Sequence, residues 1–246
     1  MTDYDHKTGR YQKWSKTDSV YSHLEWHVFL QTLGNISDKR ILDVACGEGR
    51  LSRALMDMGA KSVVGTDISA EMVDRARLQN LPSSEMHWEN LTYQVKDACD
   101  ENFSLPSPVD VVTAMYLFHY AETEEYLLRM CQFLSRSLKH GGRFLTYTIN
   151  PEYDFENQYP DMEKIFGFRY EINDPPNYHL VIGDFKARMW QWSKAIHERC
   201  LEQAGFTNIV WHPLQLASED AELEPSVLWY LENPSCIVLG AEKIAV

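Results

Sequence analysis

The chain has 246 residues, of which 44% are hydrophobic and 24% charged, and its formal net charge is −13. This is the composition of an ordinary folded domain with enough residues to bury a sizeable core. So acidic a chain would repel a phosphate backbone, and no dense run of Lys or Arg offsets the charge, so no nucleic-acid partner is expected.

The five cysteines are scattered and form no CxxC pair. Their odd number and their spacing predict reduced thiols rather than a disulfide framework or a zinc site, so no metal is expected. The N-terminal sequence MTDYDHKTGRYQKW is too polar for a signal peptide. No apolar run reaches the roughly 20 residues that cross a bilayer. We therefore expect a cytoplasmic protein with no membrane contact.

Helix-like and strand-like patterns alternate from residue 18 to about residue 150. Val20, Leu24 and Val28 recur at helical spacing in the first helix, which is predicted to end at Gly34. The later segments are RILDVA, RLSRALMDMG, SVVGTD, SAEMVDRARLQN, LTYQVKD, VDVVTAMYLFHY, ETEEYLLRMCQFLSRSLKHGG and RFLTYTIN. Strands that alternate with helices of this length predict a mostly parallel sheet covered on both faces.

After Asn150 the alternation stops, and residues 151–189 contain the run NDPPNYH among many aromatic side chains. A helix in WQWSKAIHERCLEQAGF and two strands, TNIVWHPL and SCIVLGAEK, are predicted to close the chain. We expect one domain, in which 1–34 form an N-terminal lid and helix and 35–150 form the ligand-binding core. Residues 151–189 would be an inserted substrate cap, and 190–246 the closing helix and strands.

The segment ILDVACGEGRLS joins the first strand to a helix. Gly47 and Gly49 allow a ligand to approach the backbone, because they have no Cβ. A P-loop would need a lysine after the glycines, and none is present; a dinucleotide fingerprint would need glycine where Ser52 stands. The remaining ligand class is S-adenosylmethionine (SAM). Asp43 favours SAM, because a carboxylate attracts a sulfonium and an ammonium group but repels a pyrophosphate.

The ends of the next two strands carry further carboxylates. Asp67 ends the second strand, near the spacing of ~20 residues at which an acidic side chain binds a ribose diol. A carboxylate can accept both hydroxyl hydrogen bonds. Asp97 ends the third strand and is predicted to reach the adenine amine, while Ile68 and Met72 would pack against the adenine ring.

In this order and spacing, the motifs resemble those of class I SAM-dependent methyltransferases. The resemblance is carried by ILDVACGEGRLS, VVGTDIS, KDA, DVVTAMYLFHY and LKHGGRFLTYT, and by the later LEQAGFTNIVW. It covers residues 35–150 and, more loosely, 190–243. YLFHYA, YTINPEYDF and the N-terminal DYD and RYQKW are similar to toxoflavin-type N-methyltransferases, in the small-molecule branch.

The resemblance implies an α/β, doubly wound, Rossmann-like fold with a seven-stranded, mostly parallel sheet in the order 3-2-1-4-5-7-6 and an antiparallel last strand. It implies SAM as the cofactor, bound by Tyr11, Asp43, Ala45, Gly47, Gly49, Asp67, Ile68, Met72, Asp97, Ala98 and Met115. Substrate contacts are expected from Trp14, Tyr120, Tyr147 and Asn150.

The predicted chemistry follows from the cofactor. The sulfonium makes its methyl carbon electrophilic, so the protein chiefly has to align the acceptor. A neutral nitrogen needs little else, whereas a phenol or alcohol needs a general base. His119, just past the fourth strand, is the candidate base, and Tyr116 the candidate orienting hydroxyl.

Aromatic side chains in residues 1–30 and 151–189 predict a small planar or hydrophobic acceptor, methylated on nitrogen or oxygen, and a protein that is a monomer or a homodimer. Methylation of carbon or sulfur is the first alternative. A nicotinamide-dependent oxidoreductase and a SAM-binding module without catalysis are the others.

Overall fold

Strands and helices alternate through the first half of the protein. This computed structural model describes residues 20–82, 87–214 and 224–245. The first elements are α1 (Val20–Leu33), β1 (Arg40–Val44), α2 (Arg50–Asp57), β2 (Ser62–Asp67), α3 (Ala70–Leu78), β3 (Leu91–Val95), β4 (Val109–Met115), α4 (Glu124–Ser137) and β5 (Leu138–Ile149). The later elements are α5 (Met162–Phe166), β6 (Arg169–Asp174), β7 (Asn177–Ile182), β8 (Phe185–Trp190), α6 (Lys194–Gln203), β9 (Phe206–His212), α7 (Pro225–Glu232) and β10 (Cys236–Lys243).

A seven-stranded sheet in the order β3-β2-β1-β4-β5-β10-β9 forms the centre of the fold. The five strands from β1 to β5 pair in parallel, and β10 runs antiparallel to both of its neighbours. When only the strands of this sheet are numbered, the order is 3-2-1-4-5-7-6, so the predicted doubly wound fold is confirmed. The register sets Asp43 on β1 beside Gly65 on β2 and Thr113 on β4.

Alternate side chains of the central strands point to opposite faces of the sheet. Ile41 and Val63 are buried in one apolar cluster together with side chains of α1, α2 and α3. Leu42 and Val112 are buried in a second cluster, with side chains of α4 and α6. Both faces are therefore covered by helices, which explains why these strands read as continuous apolar runs rather than as alternating ones.

Two boundaries differ from those that the sequence predicts. β4 ends at Met115, and Phe118–Tyr120 form a turn of 3₁₀ helix, although the apolar run VDVVTAMYLFHY predicts one strand. The helix predicted to reach Gly141 ends at Ser137, because Leu138 is extended and begins β5. Both differences arise at apolar residues. Such residues are buried both in a strand and in a helix, so hydrophobicity alone does not locate the boundary between the two.

The final part of the chain adds one helix that the sequence analysis missed. α7 begins with Pro225, a residue that fits the first turn of a helix. α6 begins at Lys194 rather than at Trp192, because the Ser193 hydroxyl accepts a hydrogen bond from the backbone N–H of Ile196 and caps the helix.

The insertion 151–189 is more regular than expected. Its three strands form an antiparallel sheet in the order β6-β7-β8. The aromatic side chains of the insertion pack on one another: Phe155 is stacked on Tyr178 with ring centroids 3.9 Å apart, and Tyr170 meets Phe155 edge-on at 5.0 Å. These rings are buried in the apolar cluster that contains Tyr230 of α7.

Candidate active site

One cavity of about 690 Å³ lies where β1, β2, β3 and β4 end. Its volume is within the range of roughly 300–1,000 Å³ that is usual for small-molecule sites. The cavity brings together most of the residues that the sequence analysis selected, namely Asp43, Ala45, Gly47, Asp67, Ile68, Met72, Asp97, Ala98, Met115, Tyr116 and Tyr120. The carboxyl ends of parallel strands meet at one edge of a sheet, so residues far apart in sequence share this site.

The two glycines of the β1–α2 turn have different surroundings. Gly47 lines the cavity with φ +55°, and a Cβ built on it would meet no atom within 4 Å. A Cβ built on Gly49, with φ +80°, would lie 2.3 Å from the hydroxyl oxygen of Tyr93. Gly49 is therefore required by packing against Tyr93, and because it is not among the described residues that line the cavity, its contact with a ligand stays a prediction.

Asp43 lies at the inner end of the cavity and is 1% exposed. One carboxylate oxygen accepts a hydrogen bond from the Ser52 hydroxyl at 2.6 Å, and the other accepts one from the Thr113 hydroxyl at 2.9 Å. Burial raises the pKa of Asp43 to about 6, although both hydrogen bonds favour the ionised form. In the sequence, Ser52 was only evidence against a dinucleotide-binding fingerprint. In the structure, its hydroxyl positions the Asp43 carboxylate.

The raised pKa predicts a pH-dependent stability. Between about pH 4 and pH 6 the unfolded chain has released the Asp43 proton while the folded protein still holds it, so the free energy of unfolding falls as the pH rises through this window. Asp43→Asn removes the effect. The variant should gain about 2 kcal/mol relative to the parent between pH 4 and pH 7, because titrations common to both proteins cancel. Urea unfolding at several pH values measures this gain, and a difference that does not change with pH would contradict the assignment.

Asp67 and Asp97 are both half-buried and end in the same cavity. The two carboxylate oxygens of Asp67 accept the backbone N–H groups of Gly47 at 2.8 Å and Ser69 at 2.9 Å. Asp97 accepts the backbone N–H of Cys99 at 2.8 Å. Each carboxylate is thus held in a fixed orientation by the backbone of its own loop or of the glycine turn, with lone pairs left for a ligand.

The cavity is also lined by Tyr116 and, on α1, by Glu25 and Trp26. The Tyr116 hydroxyl donates a hydrogen bond to Oε2 of Glu25. The guanidinium of Arg50 lies over the Trp26 ring, 4.6 Å from its centroid. The sequence analysis missed Glu25 and Arg50, because a charged residue in an amphipathic helix is ordinarily assigned to the solvent face.

Besides Gly49, three predicted site residues are absent from the cavity lining that the described residues form. His119 is 5% exposed, and burial lowers its pKa to about 3, so the ring is neutral near pH 7. Tyr147 is fully buried behind Tyr116. The Asn150 amide donates to the carbonyl of Pro234 and so ties β5 to the segment before β10. The contacts of the described residues thus give no support to His119 as the general base or to Tyr147 and Asn150 as substrate contacts, and these roles stay predictions.

Two further expectations concern the N-terminal residues Tyr11 and Trp14 and the predicted substrate cap 151–189. Tyr11 and Trp14 lie outside the described residues, so their roles stay predictions. The substrate cap 151–189 is described, but none of its described residues lines the cavity. Its aromatic rings are used in packing, so its role above the acceptor has no support from these contacts.

The described residues contain neither a membrane-spanning helix nor a cluster of potential metal ligands. None of the helices within residues 20–82, 87–214 and 224–245 is long and apolar enough to cross a membrane. The same ranges hold no group of three His, Cys, Asp or Glu side chains that could ligate a metal ion.

Known proteins resemble this chain both in sequence and in fold. Residues 41–142 match the family model of a methyltransferase domain. A ubiquinone biosynthesis O-methyltransferase of Serratia proteamaculans is 34% identical over 127 residues, which are 52% of this chain and 49% of that protein. The enzyme of the same name from Xanthomonas euvesicatoria is 31% identical over 122 residues, 50% of this chain and 48% of that protein. The chain thus spans about half the length of the curated relatives it matches.

Solved structures extend the likeness to nearly the whole fold. A SAM-dependent methyltransferase of Mesorhizobium loti superposes with a TM-score of 0.63 at 20% identity, over 89% of this chain and 98% of that chain. Magnesium protoporphyrin IX methyltransferase of Synechocystis PCC 6803, with bound SAM, gives a TM-score of 0.60 at 18% identity, over 98% and 94%.

The chain has the fold of class I SAM-dependent methyltransferases, with a cavity at the carboxyl ends of its central strands. Residues 41–142 match the model of the methyltransferase domain family. The resemblance in the sequence motifs is therefore confirmed at the level of the class. The finer similarity to toxoflavin-type N-methyltransferases stays a prediction.

Proposed function

We propose that this protein transfers the methyl group of SAM to nitrogen or oxygen of a small, planar or hydrophobic metabolite. The observation that carries the proposal is the set of three carboxylates, Asp43, Asp67 and Asp97, which lie at or within two residues of the ends of three adjacent strands and share one cavity. SAM offers two cationic groups, a ribose diol and an amine, all of which are attracted by or donate to carboxylates.

The residues present fit this cofactor. Gly47 leaves open space next to the backbone, where a Cβ would meet no atom within 4 Å. Asp67 would hold the ribose hydroxyls, since its carboxylate is already fixed by two backbone N–H groups. Met72 and Ile68, the first buried and the second half-exposed, offer apolar surface for the adenine ring. When bound, SAM would supply an electrophilic methyl carbon.

The protein's own contribution is position and shielding. Asp43, fixed by Ser52 and Thr113, would hold the cationic end of the cofactor in one place. Met115 and Tyr116, which follow the end of β4, would limit where an acceptor can lie. An aligned acceptor in a site shielded from water reacts faster, because little motion and little solvent rearrangement remain.

A nicotinamide-dependent oxidoreductase is the alternative from another class. The observation against it is the position of Asp43, whose buried carboxylate stands below the glycine turn where a pyrophosphate would have to lie. Two negatively charged groups in a site of low dielectric constant repel each other strongly. A SAM-binding module without catalysis would share the cofactor site but would transfer no methyl group.

Calorimetry with three ligands tests these functions. We expect SAM and its demethylated product S-adenosylhomocysteine (SAH) to bind, and NAD not to bind, to the same preparation. Transfer of a radioactive methyl group from SAM into small molecules extracted from cells then separates an enzyme from a binding module. Binding of NAD without SAM, or label confined to protein or nucleic acid, would contradict the proposal.

A further inference from the structure

The cavity is lined by a further carboxylate, which lies on α1 and not at a strand end. Glu25 of α1 lines the cavity, is 5% exposed and accepts a hydrogen bond from the Tyr116 hydroxyl. An ionised carboxylate is costly to bury, so a buried one is usually compensated by hydrogen bonds, by a counter-charge or by a ligand. The three strand-end carboxylates belong to other elements, so the sheet does not account for the presence of Glu25 in the cavity.

The partner of Glu25 is held in a strained conformation. Tyr116 has φ +63°, which is rare for a bulky residue and persists only where the surroundings impose it. Its backbone N–H donates to the carbonyl of Tyr147 at 2.8 Å, and its ring meets the Tyr147 ring edge-on at 5.4 Å. The Tyr147 hydroxyl is buried and has no hydrogen-bond partner among the described residues. These contacts hold Tyr116 in the conformation in which its hydroxyl donates to the Glu25 carboxylate.

The charges around the cavity favour a cation over an anion. Six carboxylates line it: Glu25, Asp43, Glu48, Asp67, Asp97 and Glu122. Among the described residues two cations line it, Arg50, which lies over the Trp26 ring at 4.6 Å, and Lys96, which pairs with Asp100 at 3.3 Å, so carboxylates outnumber them. A carboxylate or phosphate on the acceptor would meet a negative field, whereas an ammonium group would be attracted.

We propose that Glu25 and Tyr116 bind the acceptor through a basic nitrogen, so that the substrate class is a planar amine that enters as its cation. This rests on the proposed function and narrows its acceptor from nitrogen or oxygen to nitrogen. The aromatic rings of Trp26, Tyr116 and Tyr120 give the planar part of the amine a surface to stack on.

The Glu25 carboxylate would also accept the proton that an ammonium acceptor has to lose before it can be methylated. A protonated amine has no lone pair, so one N–H bond must break before methylation. The proton passes to Glu25, which becomes a neutral carboxylic acid, and the electron pair of that bond becomes the lone pair of the amine. This lone pair forms the bond to the methyl carbon, and the pair of the broken C–S bond stays on sulfur as a neutral thioether. The product is a methylated ammonium ion, and Glu25 returns its proton to water.

Three naphthalene probes that differ in charge test the proposal. We would titrate SAH-saturated protein with 1-naphthylmethylamine, 2-naphthol and 2-naphthoate in a calorimeter at pH 7. The amine should bind at least about tenfold more tightly than either of the others, as expected for a hydrogen bond to a buried charge. Tighter binding of the naphthol or the naphthoate would overturn the proposal.

Variants at the dyad assign the effect to residues. Glu25→Gln should lower the affinity for the amine by at least about tenfold while SAH affinity stays within about twofold. Glu89→Gln, an exposed residue that does not line the cavity, is the matched control and should change neither. Tyr116→Phe keeps the carboxylate and loses its donor, so it tests the dyad even if Glu25→Gln proves poorly folded by circular dichroism.

The outcomes separate this proposal from the proposed function. If SAH does not bind to the parent protein, the proposed function fails. If SAH binds but the amine is not preferred, or if Glu25→Gln and Tyr116→Phe both leave amine affinity unchanged, only the assignment of the acceptor fails.

Discussion

Replacing Gly47 by valine is expected to lower SAH affinity by roughly 10- to 100-fold or more, since a side chain would enter the space of the ligand. A Cβ at this position meets no protein atom within 4 Å and points into the open cavity. The fold should survive, because nothing in the protein is displaced. Calorimetry with SAH on the folded variant measures the effect.

Gly141 provides the matched control for backbone strain. It has φ +69°, close to the +55° of Gly47, and a Cβ there also meets no atom within 4 Å. Gly141 is exposed within β5 and does not line the cavity. Gly141→Val should therefore lose a similar amount of stability, roughly 1–3 kcal/mol, with SAH affinity unchanged. Equal SAH affinity in the two variants would show that the turn at Gly47 has only a structural role.

Replacing Asp67 by alanine is expected to weaken SAH binding by about 1.5–3 kcal/mol, which is roughly 10- to 150-fold, since a charge-assisted contact to the ribose diol is lost. The variant also loses the hydrogen bond that orients Gly47 at 2.8 Å. Asp67→Asn separates the two effects, because the amide keeps the size of the side chain and one acceptor oxygen but loses the charge.

Asp57→Ala controls for the removal of a carboxylate from this acidic protein. Asp57 is exposed at the end of α2 and does not line the cavity. We expect its SAH affinity to equal that of the parent protein. If Asp67→Ala binds SAH as tightly as Asp57→Ala does, Asp67 does not hold the ribose.

The central part of the fold could be predicted because its signals are local. β1 and β2 are apolar runs that end in or beside a carboxylate, and each is followed by a helix with apolar side chains on one face. In a parallel sheet the strand ends meet at one edge, so Asp43, Asp67 and Asp97 could be assigned to one site before any distance was known. The structure places all three in one cavity.

The roles of the aromatic and histidine side chains could not be predicted in this way. VDVVTAMYLFHY is one apolar run, and nothing in it shows that the chain turns at Tyr116, where the backbone takes φ +63°. That turn directs Tyr116 toward the cavity and leaves His119 buried among Tyr116, Tyr120 and His197. Sequence spacing cannot show whether Tyr116 or His119 faces the cavity, because the two arrangements differ by a backbone rotation at the end of the strand.

By itself the sequence determined the alternation of strands and helices, the glycine turn and the three carboxylates, since hydrophobic period and residue type depend on neighbours along the chain, whereas the order of the strands in the sheet was implied by the family resemblance. Only the tertiary structure decided which buried polar groups face a ligand. Glu25 and Tyr116 meet across 91 residues of sequence, whereas the aromatic rings of 151–189 turn to one another. Such contacts are set by how helices and the sheet pack, and a side chain of given chemistry can lie in a core or in a cavity at similar free energy.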